Sequence, residues 1–143
     1  MERSEQELVR REKLKQLRAL GIDPYPAAAF STDANSETIS NEFTEGKQVT
    51  IAGRLMSRRI QGKASFAELQ DSQGRIQIYF NRDILCPTED KSMYNDVYKK
   101  LLDIGDIIGV SGILFTTQVG EKTVQVESLY VLSKSLRPLP LPK

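Results

Sequence analysis

The residues of this chain that could do chemistry lie on the outward side of predicted β-strands. Side chains in a strand alternate between the two faces of a sheet. In the segment KASFAELQD, Ala67 and Leu69 therefore face a core, whereas Phe66 faces solvent. In the segment RIQIYFNR, the same alternation turns Gln77 outward. An exposed ring can stack on a nucleic-acid base, and an amide can both donate to and accept from a base edge.

Charged side chains extend this candidate face. In KTVQVESLYVLSK the alternation turns Glu127 outward, where an ionised carboxylate would accept a hydrogen bond from a base N–H. Arg59 and Lys63 could neutralise phosphates or hold a base carbonyl. Each residue alone is ordinary on a protein surface. An outward ring, amide and carboxylate on one sheet face, with basic residues beside it, together indicate binding of single-stranded nucleic acid.

Composition excludes several other kinds of site. The chain has 143 residues, a formal net charge of +1, no histidine and one cysteine. Without histidine, Ser-His or Cys-His nucleophile pairs and histidine-based zinc sites are excluded, and no metal cluster is expected. The single Cys86 excludes an internal disulfide. The sequence contains no transmembrane-length apolar run and no signal peptide pattern, which favours a cytoplasmic protein that does not contact a membrane.

Charge changes sign abruptly where the strands begin. Residues 31–46 carry four acidic residues and no basic one, whereas residues 47–63 are basic without any acid. A nearly neutral chain therefore contains a basic stripe of the kind that contacts phosphates. The predicted backbone contacts from the strand region are Arg58, Lys63 and Arg75.

A helix is predicted ahead of the strands. Ser4 and Glu7 have capping-box spacing, and Gly21 is a typical stop signal, with Pro24 and Pro26 beyond it. The predicted apolar side consists of Val9, Leu14, Leu17 and Leu20, and a separate basic side consists of Arg11, Lys15 and Arg18. The basic side is either a solvated surface or a contact with a phosphate backbone.

The order of elements predicts the fold. QVTIAGRLMSRRI is the first strand, with a bulge or bend predicted at Gly53, so parity alone does not place Arg59 on either face. A helix is predicted over residues 93–104, with Met93, Val97 and Leu101 on its buried side. Two strands follow it, IIGVSGILFTT and KTVQVESLYVLSK. Three meander strands, a helix and two more strands are typical of a five-stranded OB-fold Greek-key barrel, which binds oligonucleotides or oligosaccharides.

The predicted organisation has three parts. Residues 1–46 form the N-terminal helix and a polar connector, and residues 47–134 form the barrel. Residues 135–143 alternate proline with leucine and are expected to be an extended linker to a further domain.

Four segments give the chain a close resemblance to the N-terminal anticodon-binding domain of bacterial-type lysyl-tRNA synthetase, a class II enzyme. They are RREKLKQLRALGIDPYP at 10–26, GRLMSRRIQGKASFAELQDSQGRIQIY at 53–79, IGDIIGVSG at 104–112 and LRPLPLP at 136–142. Aspartyl- and asparaginyl-tRNA synthetases share the OB domain, but their first strand usually carries Gly-Trp. This chain has Gly53-Arg54 at that point and contains no tryptophan.

The resemblance implies roles for four residues of the candidate face. Phe66 would stack on an anticodon base, and Gln77 would read the central uridine. Arg59 would support that base and its backbone, and Glu127 would contact the first anticodon position. The third base is expected near residues 116–123, where no reader is assigned.

The resemblance also implies what this chain lacks. The catalytic domain would follow the proline-rich segment, and ATP, Mg²⁺ and lysine would belong to it, so this chain is expected to bind no cofactor and to catalyse nothing. Expected partners are the anticodon stem-loop of tRNA(Lys) and the chain's own catalytic domain. The full-length protein would be a homodimer, and this part of it a monomer or weak dimer.

Two other functions remain open at this point. One is an OB module that binds single strands without base preference, which would tolerate the loss of Gln77. The other is a protein–protein OB module, in which Phe66 anchors an interface and salt has little effect.

Overall fold

Five strands close into a barrel in the order β1-β2-β3-β5-β4. The computed structural model describes residues 5–22 and 30–135. The strands are β1 (Gln48–Gln61), β2 (Ala64–Asp71), β3 (Gly74–Asn81), β4 (Ile107–Thr116) and β5 (Lys122–Ser133). β3 pairs parallel with β5, and the other four pairings are antiparallel. The predicted five-stranded OB-fold barrel is confirmed.

Within the described residues, four helical segments accompany the strands. They are α1 (Glu5–Ala19), α2 (Ser36–Asn41), α3 (Arg82–Leu85) and a π-helix (Met93–Leu101) between β3 and β4. The predicted N-terminal helix and the predicted helix between the third and fourth strands are both confirmed. Ser4, Pro24, Pro26 and the proline-rich residues 136–143 lie outside the described residues, and the division into three parts remains a prediction.

The barrel interior follows the alternation of β2 and β3. The interior contains Leu69, Ile78 and Phe80, each of which is at most 1% exposed to solvent. Phe80 stacks on Tyr98 of the π-helix, with ring centroids 4.0 Å apart. Burying such side chains contributes roughly 1.5–3 kcal/mol each. The outward residues of the same strands are therefore held in place by a well-packed opposite face.

The irregularity in β1 lies beyond the predicted position. Pairing of β1 with β2 shifts between Leu55 and Ser57, so the bulge predicted at Gly53 is wrong. Gly53 is instead a point of close approach, because a Cβ there would lie 2.8 Å from the carbonyl oxygen of Gln70. At Arg54 the strand pairs with β4 on one side and β2 on the other, so Gly53 lies where β1 passes from one partner to the next.

The helix between β3 and β4 has wider turns than predicted. Leu102 N–H donates to the carbonyl of Val97 at 3.0 Å, a π-type bond spanning five residues. Tyr94 and Tyr98 are fully buried beside Val97, whereas Met93 is only partly buried. Burial raises the pKa of Tyr98 to about 12, and its hydroxyl lies 2.7 Å from that of Ser65. This hydrogen bond therefore links the π-helix to the start of β2.

The docking face of α1 differs from the prediction. Leu17 is fully buried, but Val9 and Leu20 are 54% and 51% exposed, so most of the predicted apolar side does not pack on the barrel. Lys13 instead faces the protein and lies 2.8 Å from Asp103. The helix ends at Ala19, and Gly21, the predicted stop signal, follows it with a φ of +80°. A charged contact therefore sets the rotation of α1 about its axis.

Candidate nucleic-acid interface

The hairpin of β2 and β3 fixes the position of the candidate face. Phe66 pairs with Tyr79 and Glu68 with Gln77, and all four point outward. The hairpin register is set by Asp71, whose carboxylate accepts from the backbone N–H groups of Gly74 and Gln73 in the turn.

Asp71 also anchors the turn to helix α2. Its carboxylate accepts from the N–H and the hydroxyl of Ser36 at 2.7 and 2.6 Å. Burial alone would raise the pKa of Asp71, but these hydrogen bonds outweigh it and hold the pKa below its ordinary value. The turn and therefore the register are stabilised from both sides.

A shallow cavity of about 530 Å³ opens on this face. Arg59 pairs directly with Phe66 across β1 and β2 and lies on the outward face, because the shift after Leu55 changes the parity of β1. Phe66 is 37% exposed. The lining residues are Ser57, Arg58, Arg59, Phe66, Ala67, Glu68 and Gln77. Three of the four predicted base-contacting residues are thus brought together.

Gln77 is held in a defined orientation within the cavity. Its side-chain N–H donates to the hydroxyl of Thr123 on β5 at 3.1 Å. An amide has a second N–H and an acceptor oxygen, so this bond leaves both a donor and an acceptor for a ligand. Such a pair can match the edge of a uracil.

Acidic and basic side chains beside the cavity neutralise one another. Arg75 lies 3.1 Å from Glu68, and the hydroxyl of Ser57 lies 3.4 Å from the same carboxylate. Both partners of the ion pair are about half exposed, so the pair is worth little to stability. A phosphate contact by Arg75, which stays a prediction, would compete with Glu68.

Glu127 lies apart from the cavity. It is exposed, as predicted, but it is not among the residues that line the cavity. The pairing of β5 with β3 ends at Gln125, and the pairing with β4 shifts around Glu127. A contact between Glu127 and the first anticodon position would therefore need a second subsite further along β5.

The predicted basic stripe is divided between two environments. Arg58 donates to the carbonyls of Tyr98 and Leu102, and its guanidinium lies 5.4 Å from the centre of the Tyr98 ring. Lys63 is 62% exposed in the turn before β2, with Asp83 at 3.8 Å. The geometry thus gives Arg58 a role within the fold and leaves Lys63 accessible to a ligand.

The three basic residues of α1 are not brought to this face. Arg11, Lys15 and Arg18 are exposed on the helix. The helix itself packs against the π-helix rather than against β2 and β3. Their contact with a phosphate backbone stays a prediction, and it would require a ligand that extends beyond the cavity.

Sequence reasoning did not give a role to several residues of this surface. Ser57 and Glu68 line the cavity, and Tyr79 lies beside Phe66 with ring centroids 5.0 Å apart. Phe115 of β4 continues the row of rings, 5.9 Å from Tyr79. Alternation places Tyr79 outward, but no signal within β4 shows that Phe115 lies next to it.

The described residues contain neither a grouping of metal-ligand side chains nor a membrane-spanning helix. Among residues 5–22 and 30–135, no three or more Cys, Asp or Glu side chains are grouped so that they could hold a metal ion. Within the same ranges, no helix is long and apolar enough to cross a membrane.

Comparison with curated proteins confirms the resemblance found in the sequence. The chain is 68% identical over 140 residues to a lysine–tRNA ligase of Christiangramia forsetii, and 57% identical over 148 residues to one of Porphyromonas gingivalis. A lysine–tRNA ligase of Syntrophomonas wolfei is 48% identical over 139 residues. These alignments cover 98%, 100% and 96% of this chain but 25%, 26% and 27% of the ligases. The chain therefore spans about a quarter of the length of its curated relatives.

A family comparison agrees with the barrel in the structure. The model of the tRNA anticodon family, described as an OB-fold nucleic acid binding domain, matches residues 49–132. That range begins in β1 and ends in β5, so it contains the cavity and all of the barrel except the first residue of β1 and the last residue of β5. Because the match covers more than half of the sequence, this chain belongs to the tRNA anticodon family of OB-fold nucleic acid binding domains.

Proposed function

We propose that this chain is the anticodon-reading domain of a lysine–tRNA ligase and that it binds the U-rich anticodon loop of tRNA(Lys). The observation that carries the proposal is the convergence of Phe66, Gln77 and Arg59 on one cavity of an OB barrel. A ring, an amide and a guanidinium supply the three contacts that a single-stranded base and its phosphate require.

Each of the three residues has a distinct task in the proposed complex. Phe66 stacks on an anticodon base, a contact worth roughly 1–3 kcal/mol. Gln77, oriented by Thr123, hydrogen-bonds the edge of the central uridine. Arg59, directly beside Phe66, holds that base and the phosphate next to it. Glu127 contacts the first anticodon base from further along β5.

The activity of the whole ligase would lie outside this chain. The full-length protein would attach lysine to tRNA with ATP and Mg²⁺, as a homodimer in the cytoplasm. ATP, Mg²⁺ and lysine would bind in the part that the chain does not span. Alone, the chain binds the anticodon arm weakly and catalyses no reaction.

The proposal is tested by fluorescence anisotropy with a labelled lysine-anticodon stem-loop at two salt concentrations. A second stem-loop carries cytidine in place of the central uridine. The chain binds the first loop more tightly. Salt weakens binding because cations must leave the phosphates as the chain binds, and a higher salt concentration makes that release less favourable. Gln77→Ala removes the preference for uridine. Gln70→Ala is the matched control, because Gln70 is an exposed amide on the outward face of β2 but outside the cavity.

Three results would contradict the proposal in different ways. Equal binding of the two loops would reduce the chain to a nucleic-acid module without base preference. Binding that is insensitive to salt would favour a protein-binding role for Phe66. Absence of binding to either loop at low salt would exclude anticodon reading by this chain.

A further inference from the structure

Thr123 of β5 is a buried polar residue on the outward side of the barrel. It is 0% exposed, and it pairs with Gln77 of β3 on one side and with Phe115 of β4 on the other. The next residue, Val124, is buried in the core, so alternation places the hydroxyl of Thr123 among the outward residues. A buried hydroxyl needs hydrogen-bond partners within the fold, and one of the partners of Thr123 is the proposed reader of the central base.

The hydroxyl of Thr123 bonds to two different partners. It lies 3.1 Å from the backbone carbonyl oxygen of Glu121. A carbonyl oxygen can only accept, so the hydroxyl donates its single hydrogen there. The side-chain nitrogen of Gln77 lies 3.1 Å from the same hydroxyl. Towards Gln77 the hydroxyl therefore offers only a lone pair, and the NH₂ end of the amide is the end that can bond to it.

The carbonyl of Glu121 is held in place by the turn between β4 and β5. The same oxygen accepts from the N–H of Thr117 at 3.0 Å, and the N–H of Glu121 donates to the hydroxyl of Thr117 at 3.1 Å. The next residue, Lys122, donates from its side chain to the carbonyl of Ser40 in α2 at 2.8 Å. The acceptor is thus fixed from both sides, and Thr123 cannot turn its hydrogen elsewhere without losing this bond.

The orientation of the Gln77 amide decides which base it matches. In the observed orientation, the amide oxygen can accept from N3–H of uracil while the second N–H donates to O4. Cytosine has an acceptor at N3 and an amino group at position 4, so it matches the amide only when the amide is turned over. The turned amide would place its oxygen against the lone pair of Thr123. Preference for uridine therefore depends on an orientation that an unrestrained glutamine would not keep.

We propose that Thr123 is a specificity-determining residue, which selects uridine over cytidine at the central anticodon position by fixing the orientation of the Gln77 amide. Because Thr123 is fully buried, it is a positioning residue that acts through Gln77 rather than a residue in contact with the base. Turning the amide over costs a hydrogen bond of ordinary strength, which corresponds to a discrimination of about ten-fold. This inference rests on the proposed function and deepens it.

Thr123→Val tests the inference, because valine has nearly the shape of threonine but lacks the hydroxyl. The probes are the labelled lysine-anticodon stem-loop with uridine at the central position (the uridine loop) and the same stem-loop with cytidine there (the cytidine loop). Fluorescence anisotropy measures the affinity of each. In Thr123→Val the Gln77 amide takes either orientation, so the cytidine loop binds about ten-fold more tightly than it binds the unchanged chain. The uridine loop stays within about two-fold, because half of the amides keep the matching orientation.

Two further variants are controls. Thr123→Ser retains a hydroxyl and keeps the preference for uridine. Thr50→Val is the matched control, because Thr50 also lies on a strand and its hydroxyl bonds to that of Ser111 at 2.9 Å, outside the cavity. It leaves the affinity for both loops unchanged. If Thr123→Val does not fold, Thr123→Ala carries the same measurement.

A purely structural role for Thr123 leads to a different result. If the residue only packed the barrel, Thr123→Val would weaken the binding of both loops by the same factor and leave the ratio of their affinities unchanged. That result would overturn the inference. A ratio lost only because the uridine loop binds more weakly would overturn it as well, since the Gln77 amide would then be displaced rather than turned over.

The same titrations separate this inference from the proposed function. Equal binding of the two loops by the unchanged chain would contradict the proposed function, and the inference with it. A preference for the uridine loop that is present in the unchanged chain and persists at full strength in Thr123→Val would leave the proposed function standing. It would overturn only the role of Thr123.

Discussion

The cavity at Phe66 and a cluster of paired charged side chains at the other end of β5, the ionic cluster, both contain charged residues. They differ in how far those residues are exposed to solvent. Around the cavity, Arg59 and Phe66 are exposed to solvent. In the ionic cluster, the side chain of Lys134 is 1% exposed and lies 2.7 Å from Asp103 and 3.0 Å from Asp106. A cation in water is available to a ligand, whereas a buried cation is already committed to the fold.

The ionic cluster joins three parts of the chain. Asp106 is fully buried and accepts from the N–H groups of Asp103 and Ser135 at 2.8 and 2.7 Å. Lys13 of α1 bonds to Asp103 at 2.8 Å. The cluster therefore holds the start of β4, the residues after β5 and the N-terminal helix together. In this molecule the buried charges are paired within the fold, whereas the exposed charges at the cavity are accessible to a ligand.

The largest expected effect concerns the buried lysine. Lys134→Met leaves Asp103 and Asp106 without their shared counter-ion and lowers the free energy of unfolding by about 3–5 kcal/mol. Urea denaturation measures this change. Lys100→Met is the control, because that lysine is 73% exposed beside Asp96 and its loss costs less than about 1 kcal/mol. Equal stability of the two variants would break the distinction between buried and exposed charge.

Two consecutive arginines provide a sharper version of the comparison. Arg58→Met removes charge-assisted hydrogen bonds to the π-helix and lowers the free energy of unfolding by about 1.5–3 kcal/mol. Arg59→Met leaves stability nearly unchanged, weakens RNA binding and reduces the slope of log affinity against log salt by about 0.7. Denaturation and salt titrations of both variants test this separation. A change of RNA affinity without a loss of stability in Arg58→Met would contradict it.

The exposed ring is expected to matter for binding alone. Phe66→Ala weakens RNA binding by about 1–3 kcal/mol, since it removes a stacking surface. Its effect on stability stays below about 1 kcal/mol, because the ring is 37% exposed. Anisotropy and thermal unfolding measure the two quantities. Tyr130→Ala, another exposed ring, should leave RNA affinity unchanged, and a comparable loss there would show that the effect is not local to the cavity.

The smallest effect is the acid response of the ionic cluster. Burial alone would raise the pKa of Asp103, but hydrogen bonds from Lys13 and Lys134 hold it below the ordinary 3.8. The stabilisation is therefore fully present above about pH 4 and is lost as the pH falls through the lowered pKa. Asp103→Asn flattens this acid branch, the decline of the unfolding free energy at low pH, because the amide does not titrate. An unaltered acid branch in Asp103→Asn would show that other carboxylates cause it.

Prediction from sequence succeeded where a pattern is completed within one hairpin. The outward positions of Phe66 and Gln77 and the inward positions of Leu69 and Ile78 follow from period-two alternation and a two-residue turn. It failed where the orientation of a residue depends on partners that are distant in the sequence. The face of Arg59 depends on a bulge after Leu55, which arises as β1 changes partner from β4 to β2.

The docking of helices was predicted less completely for the same reason. The wheel of α1 shows Val9 and Leu20 beside Leu17, but the helix rotates so that Lys13 reaches Asp103 from more than eighty residues away. Helical spacing placed Val97 and Leu101 inside, but it did not show the π-type bonding or the burial of Tyr94 and Tyr98. Those features depend on Gly62 in the turn before β2 and on Ser65 within β2, to which the two tyrosine hydroxyls bond.

The sequence by itself determined the order of the elements, the barrel and the outward side of β2 and β3, because strand alternation and turn chemistry act over a few neighbouring residues. Only the tertiary structure decided that Arg59 joins Phe66, that Arg58 donates to the carbonyls of Tyr98 and Leu102, and that Phe115 continues the row of rings. These outcomes depend on bulges and on pairing between strands distant in the chain, and no local period encodes them.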